Sequence, residues 1–524
     1  MPQSHTPHDD DSTSPLLQLF SSLNLDLTST PESITLDPQS HLHVESWNLD
    51  VMHIIMSYAD RRVVSNLMRT CNALNYAGTK YLLADGLTLR HKIGLLSFLF
   101  FLHARGTPGE CIRRLTLLNK LSIDLYKPTE NVPPILQFFF EILALAASNL
   151  TFLHISAAEA LLALHPTLGP AIAKLRTLKT IDISETGVHC ATLLRTLRSS
   201  LVTAKIHFGV HSAEPEEEVP PEPDMNPILL LEGSQSTLES LSASFPVSRP
   251  DGPCYANVTR LELFCTGLPY VEDYIRAFPN IQSLTYFHYA ALQAELSWHE
   301  RRVMAMQYQT HHGTWQSLRK LQGSLLLLWV WGLMCHIPSV ELSFEQLGVD
   351  PNFLNDIILD VRPSDLALRL PGASWLLDDA VRDVLSQEGR LQVLELCVLF
   401  NINEADQTVV VEEILDLLVD VVRASSMPTF KLSLDLTWMR VVRRRAESDG
   451  GNEMPLMPFE VYLRDMDVDA YGDMLLGNAT SLKEAQVSVV EDRDGCTRHA
   501  VRRRREPSES AGNAVTTRHP SGGE

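Results

Sequence analysis

The chain has 524 residues, 45% of them hydrophobic, and a formal net charge of −21 at pH 7. That length suits two to four ordinary domains or one extended repeat domain. So acidic a balance excludes non-specific nucleic-acid binding as the principal activity, because phosphate contact needs a dense basic surface. Residues 1–44 are rich in Ser, Thr, Pro, His and Asp and are expected to be disordered, with one weakly amphipathic patch at Leu16–Leu25. Met1–Ser14 is polar, carries Asp9–Asp11 and has no basic n-region, so no secretory leader is expected.

Residues 45–84 read as a short helical module. Leu49, Met52, Met56 and Ala59 recur at helical spacing, with Val51, Ile55 and Tyr58 beside them, which gives the first segment a wide apolar face. After the charged turn Asp60-Arg61-Arg62, a second helix places Val63, Val64, Leu67, Met68 and Cys71 on one side. A third segment, through Ala73, Leu74, Ala77, Tyr81 and Leu82, is interrupted by Gly78. Fewer than about forty residues cannot bury this much apolar surface among themselves, so part of it is expected to meet something else, either the following domain or a partner. Cys71, on the apolar side of its helix, reads as inert core.

The order of residues in this stretch resembles an F-box, the motif through which substrate receptors of SCF-type ubiquitin ligases bind a Skp-family adaptor. Asp50 takes the acidic place, Ile55-Met56-Ser57-Tyr58 the end of the first helix, and Val63-Val64 and Leu67 the apolar places of the second. Cys71 falls at the family separation from Tyr58. Trp47-Asn48 stands where the family has Leu-Pro, Ala59 follows Tyr58 in place of a larger aliphatic residue, and Leu74 replaces an aromatic. The resemblance implies that Leu49, Val51, Met52, Ile55, Met56 and Val64 supply adaptor contacts, and that a cullin is reached through the adaptor.

Residues 85–490 carry a recurring phrase, apolar at its first, fourth and sixth places. LTFLHI begins at Leu150, LKTIDI at Leu178, LVTAKI at Leu201, VTRLEL at Val258, IQSLTY at Ile281, IPSVEL at Ile337 and LQVLEL at Leu391. Weaker copies begin at Leu238, Leu318, Met427 and Leu482. The spacing is 28 residues from Leu150 to Leu178, 23 to Leu201, 20 from Leu238 to Val258 and 23 to Ile281. Both the phrase and its period match those of leucine-rich repeats. Helical patterns such as Ala157–Leu175 and Val188–Arg198 supply the return legs. A six-residue strand and one helix cannot bury their own apolar side, so stacked copies share a core. The expected fold is therefore α/β, a short all-α module followed by an irregular leucine-rich-repeat-like solenoid, with a doubly wound α/β domain as the alternative. The acidic Pro-rich segment 213–224 reads as a solvated loop, and 491–524 as a disordered tail whose Arg502–Arg505 run allows a nuclear-localisation reading.

No catalytic motif is present: no G-x-S-x-G, Walker loop, His-Glu-x-x-His or G-x-G-x-x-G. Eight cysteines, none in a Cys-x-x-Cys, argue against a disulfide framework and a structural zinc site. No cofactor or metal is expected. The pairs Asp378-Asp379 and Glu412-Glu413 stand near predicted helix starts, where the helix dipole accounts for them, and the 19 histidines read as surface residues. The longest apolar runs, Ile93–His103 and Leu325–Met334, are too short to span a bilayer and read as buried helices. The expected role is that of a non-catalytic substrate receptor, cytoplasmic or nuclear, with no membrane or nucleic-acid partner. A client protein would contact the odd places of the phrases, namely Phe152, His154, Thr180, Asp182, Arg260, Glu262, Phe264, Glu395 and Cys397. The competing role is a repeat scaffold or recognition protein without a ligase link, its first helices capping the open end. A docking module leaves Leu49 and Met52 accessible; a cap buries them.

Overall fold

The protein is described by a computed structural model over residues 49–103, 113–125, 132–145, 149–208, 225–244, 246, 248–249, 251–265, 270–288, 298–344, 350–386, 391–400, 409–448, 455–490 and 496–504. The segment 1–44, Trp47-Asn48, the acidic segment 213–224 and most of 491–524 lie outside the described residues. The chain is mixed α/β and divides into two compact units, 1–78 and 79–524. No helix among the described residues is long and apolar enough to cross a membrane.

The first unit holds helices α1 (Leu49–Tyr58) and α2 (Arg61–Met68) and the start of α3 (Asn72–Ala84), within which the division falls. Asp60 caps α2, its carboxylate accepting the Val63 N–H at 2.8 Å. Met52 and Met56 of α1, Val64 and Met68 of α2, and Leu74 of α3 are buried. Each methionine–methionine or valine–methionine pair is four residues apart, the spacing that puts two side chains on one helix face. Gly78, expected to interrupt α3, lies inside it: a Cβ there would stand 2.3 Å from Met68 Cγ and 3.5 Å from Met56 Sδ. The missing side chain is what lets α3 approach those methionines. Cys71, expected in the core, is exposed. It lies in the link between α2 and α3, where no helical periodicity turns it inward.

In the second unit fifteen strands, among the described residues, form one sheet. They are β1 Leu87–Leu89, β2 Lys120–Ile123, β3 Phe152–Ile155, β4 Thr180–Thr186, β5 Thr203–Phe208, β6 Ser240–Ser244, β7 Arg260–Cys265 and β8 Ser283–His288. They continue as β9 Lys320–Ser324, β10 Ser339–Ser343, β11 Asp365–Leu370, β12 Val393–Leu399, β13 Thr429–Asp435, β14 Glu484–Val490 and β15 Arg498–Arg503. Spatial order follows sequence order throughout. All neighbours are parallel except β14 and β15, which are antiparallel.

Every phrase read in the sequence becomes a strand that starts at its third residue. The fourth places align in a single row, Leu121–Leu153–Ile181–Ala204–Leu241–Leu261–Leu284–Leu321–Val340–Leu366–Leu394–Phe430–Ala485, all buried. The ladder is entered the same way repeatedly. The Thr151 carbonyl accepts the Lys179 and Thr180 N–H groups at 2.8 Å each, and the Lys179, Glu239, Thr259 and Gln282 carbonyls do likewise for the strands that follow them. Just ahead of a phrase, the hydroxyls of Thr177, Thr237 and Ser317 donate to the carbonyls of Leu150, Leu201 and Ile281, so buried acceptors at the turns are satisfied.

Sequential parallel strands with crossovers of one hand place those crossovers on one face of the sheet. Burial agrees: along β3, β10 and β13 fully buried residues alternate with partly exposed ones. A doubly wound sheet buries both faces and reverses its strand order, and no reversal occurs among the fifteen strands. The run Leu325–Met334 gives the fully buried helix Leu325–Trp331. The run at Ile93–His103 gives the helix Lys92–His103, on which Ile93 is exposed. Ala157–Leu175 breaks into two helices, Ala158–Leu164 and Leu168–Ala173, around Pro166. The helix Trp298–His312, inserted between β8 and β9, buries Arg302, which donates to the Trp329 carbonyl and to Asp360.

Residues 496–504, expected within a disordered tail, form the end of the sheet instead. Arg502 pairs with Asp469 and, at 3.1 Å, with Asp473; Arg503 pairs with Glu484 at 3.0 Å; and Arg504 donates to the Thr480 carbonyl at 2.7 Å. Three arginines of the basic run are thus engaged in closing the last helix and strand.

Candidate protein-docking surfaces

Two surfaces present the residues singled out from the sequence. The first is α1. Val51, Ile54, Ile55 and Tyr58 share one face of this helix at i, i+3, i+4 and i+7 and are exposed, Tyr58 to 89% and Ile54 to 59%. Leu49, at the first turn, is 49% exposed, and Val63 of α2 is exposed as well. Of the six residues expected to contact an adaptor, Leu49, Val51 and Ile55 are at the surface. Met52, Met56 and Val64 are not, with exposures of 3% or less. The burial of these three has a simple cause. Apart from the stripe Asp50, His53 and Ser57, α1 is apolar, so its wide apolar arc contains both a core face and a surface face, and periodicity alone does not separate them. Ile54 and Tyr58, not among the six, are exposed beside them. Trp47-Asn48 falls outside the described residues.

The second surface is the face of the sheet opposite the crossovers. Phe152, His154, Thr180, Asp182, Arg260, Glu262, Phe264, Glu395 and Cys397 all lie on it, each partly or well exposed. They do not form one cluster. His154 and Asp182 are register neighbours, with His154 Nδ1 3.4 Å from the Asp182 carboxylate. Arg260, Glu262 and Phe264 follow one another along β7. Glu395 lies in the row of Glu262 but five strands further on, where it pairs with Lys431 at 3.4 Å.

Charges on this face are largely matched within it. The hydrogen bond that the His154 imidazole donates to the Asp182 carboxylate holds it above its ordinary pKa, against the lowering effect of burial. Burial works to raise Asp182, but the hydrogen bond and charge of His154, with Lys205 and His207 nearby, outweigh it and hold the carboxyl below its usual range. Burial pushes the His207 imidazole down. His207 packs edge-on against Phe264 at 5.2 Å between ring centroids, and Phe264 stacks on Phe287 at the same distance, so an aromatic ridge crosses β5 to β8. His207 and Phe287 were not among the expected contacts, although each is the seventh residue of its phrase, as Phe264 is.

Ser122, His154 and Asp182 stand in one row across β2, β3 and β4. Those are the residue types of a nucleophile–base–acid relay, but the strand N–H groups beside them are taken up by the parallel ladders rather than turned toward a reacting oxyanion. Among the described residues no three His, Cys, Asp or Glu are grouped as metal ligands. Cys71, Cys190, Cys254, Cys335, Cys397 and Cys496 are free thiols, and burial raises the pKa of Cys190, Cys335 and Cys397. The chain matches no protein-family model, and no curated protein matches it.

Proposed function

We propose that this chain is a substrate receptor of an SCF-type ubiquitin ligase, acting in the cytoplasm or nucleus. Its first three helices bind a Skp-family adaptor, and through that adaptor a cullin. Its second unit, a leucine-rich-repeat-like domain, holds a client protein on the open face of the sheet. The chain itself carries out no chemistry in this reading. The observation that carries it is the apolar face Val51–Ile54–Ile55–Tyr58, left at the surface of a unit too small to conceal it. The sequence resemblance at Asp50, Ile55–Tyr58, Val63-Val64 and Cys71 supplies the identity of the partner. A sheet whose strand order never reverses offers no switch-point crevice for a small ligand, which favours a protein as the thing recognised.

The test uses surface positions only, because charges at Met52 or Met56 would unfold the unit. Leu49→Asp with Ile55→Asp is expected to lower recovery of the adaptor with the purified chain at least about tenfold, the equivalent of roughly 1.4 kcal/mol, while the melting temperature of the second unit stays unchanged. Undiminished recovery would sink the assignment. The scaffold reading draws on one observation, the burial of Met52, which a capping role also requires. It becomes the better account if the unaltered chain recovers neither adaptor nor cullin.

A further inference from the structure

Independently of the first three helices, the second unit holds an apolar groove near its C-terminal end. It has a volume of about 770 Å³ and is lined by Leu456, Pro458, Val461, Tyr462, Asp465 and Met466. Its floor is the helix Pro458–Asp465, which starts at Pro458 and is fixed at its N-terminus by the Glu460 carboxylate accepting the Met457 N–H at 2.8 Å. Phe459, Glu460 and Leu463 turn inward, Phe459 stacking on Phe400 at 5.1 Å. That leaves Val461, Tyr462 and Asp465 on the outward face, one turn apart in the same pattern, with Leu456 and Val461 exposed. One side chain of the groove is amphipathic, and its polar end faces acid. Burial raises the pKa of the Tyr462 hydroxyl, and the charges of Glu412 and Asp416 add to the rise.

Glu412 and Asp416 are exposed residues of the amphipathic helix Val411–Ala424, four apart and so on one face. Among the described residues no ion pair engages either of them; the next acid on that row, Asp420, is taken by Arg423 at 2.6 Å. Asp465 has Arg464 beside it at 3.1 Å, with both side chains more than half exposed, so that pair is screened and weak. The groove therefore combines aliphatic and aromatic walls with the exposed carboxylates Glu412 and Asp416 of a helix in contact with its floor, in a chain whose net charge of −21 already attracts cations.

We infer that this groove is a docking site for a short basic amphipathic helix of a partner protein, its aliphatic residues seated on Leu456, Val461 and Met466 and its Lys or Arg residues facing Glu412 and Asp416. The length suits such a ligand. An eight-residue floor helix spans roughly 12 Å, about two turns of a helix lying along it. Apolar anchors at i and i+3 or i+4 with flanking charge are how helices are read in grooves of this kind. Hydrophobic contact supplies the affinity and the acidic face of the neighbouring helix selects the sign of the partner's charge.

The probe is a fluorescent helical peptide of about four turns with Leu at helical spacing and Lys elsewhere, compared with the same peptide carrying Glu for Lys, both titrated against the full chain by fluorescence anisotropy. The Lys peptide is expected to bind at least about tenfold more tightly than the Glu peptide. Val461→Asp and the pair Glu412→Lys with Asp416→Lys are each expected to weaken it about tenfold. The exposed pair Glu232→Lys with Glu239→Lys, an equal change in net charge elsewhere, is expected to change it less than about threefold. Equal losses from the two charge-reversed pairs would mean general attraction to an acidic protein and would overturn the site. So would undiminished binding to the Val461→Asp chain. A concentration-dependent dimer of the chain alone, dissolved by Val461→Asp, would also overturn the inference by assigning the groove to a second copy. Melting temperatures within about 2 °C of the unaltered chain keep each variant interpretable.

Discussion

His154 and His207 lie on the same face of the sheet, two strands apart, and their surroundings push them in opposite directions. Asp182 holds a proton on His154, whereas burial against Phe264 strips it from His207. In a pH titration followed by NMR, His154 is expected to titrate above about 6.5 and His207 below it. Asp182→Asn is expected to bring His154 down toward that ordinary value. The sign for stability follows. Because His154 is raised in the folded chain, its contribution is fully present below the unfolded pKa and fades as pH rises through the folded one. Because Asp182 is lowered, its contribution is present above its unfolded pKa and fades as pH falls through the folded one. The pair therefore stabilises most between about pH 4 and 6.5. Asp182→Asn should lower the melting temperature more at pH 5.5 than at pH 8; an equal fall at both would show that the carboxylate acts only through shape.

At the scale of elements, the strands were the legible part and the helix faces were not. A phrase with apolar first, fourth and sixth places encodes two inward positions and a turn, so β3 to β10 and β12 to β14 could be read directly. β11 escaped because Pro363 occupies the first place. β2 escaped because the apolar run Leu115–Leu118 leads straight into its own phrase, LNKLSI, and hides where it begins. β15 escaped because Arg498–Arg503 is charged and antiparallel, a closing strand with no place in a parallel repeat. The surface of α1 was illegible for another reason: burial depends on what packs against a helix, and an apolar helix does not announce its partner. Glycines show the same limit. Gly323 takes the sixth place of its phrase, where Leu or Ile is usual, because the Tyr286 carbonyl of the next strand approaches to 2.8 Å of its would-be Cβ. Gly78 and Gly477 look alike in sequence, both inside helices. A Cβ at Gly78 strikes Met68, whereas one at Gly477 meets nothing within 4 Å. Gly78→Ala is expected to destabilise the first unit by about 1–3 kcal/mol, and Gly477→Ala to stabilise the second by about 0.5–1 kcal/mol. Chemical denaturation of the two variants checks both signs.

Across the molecule, β15 determines how the sheet ends. It pairs with β14 along the row Glu484–Arg503 to Val489–Arg498 and brings Arg498 to the Met466 carbonyl at 2.6 Å. Without it the ladder groups of β14 would face solvent on an open edge beside buried Val487 and Val489. Deleting residues 496–524 is expected to lower the melting temperature by about 3 °C or more and to promote association, read by calorimetry and light scattering. Arg502→Ala, which removes two ion pairs and leaves the strand, is expected to do much less. The two acting alike would place the effect in charge rather than in strand pairing.

Spatial order that follows sequence order also has a consequence for how such a chain can change length. The two neighbours of any strand from β3 to β13 are already in register with one another through it at the fourth place, whose row runs unbroken from β2 to β14. Excising one strand together with its crossover would bring two compatible edges side by side without rethreading the rest. Duplicating one would insert a unit that both flanks already fit. Gain or loss of whole units is thus expected to leave the remaining sheet in place and to change only the area of its open face.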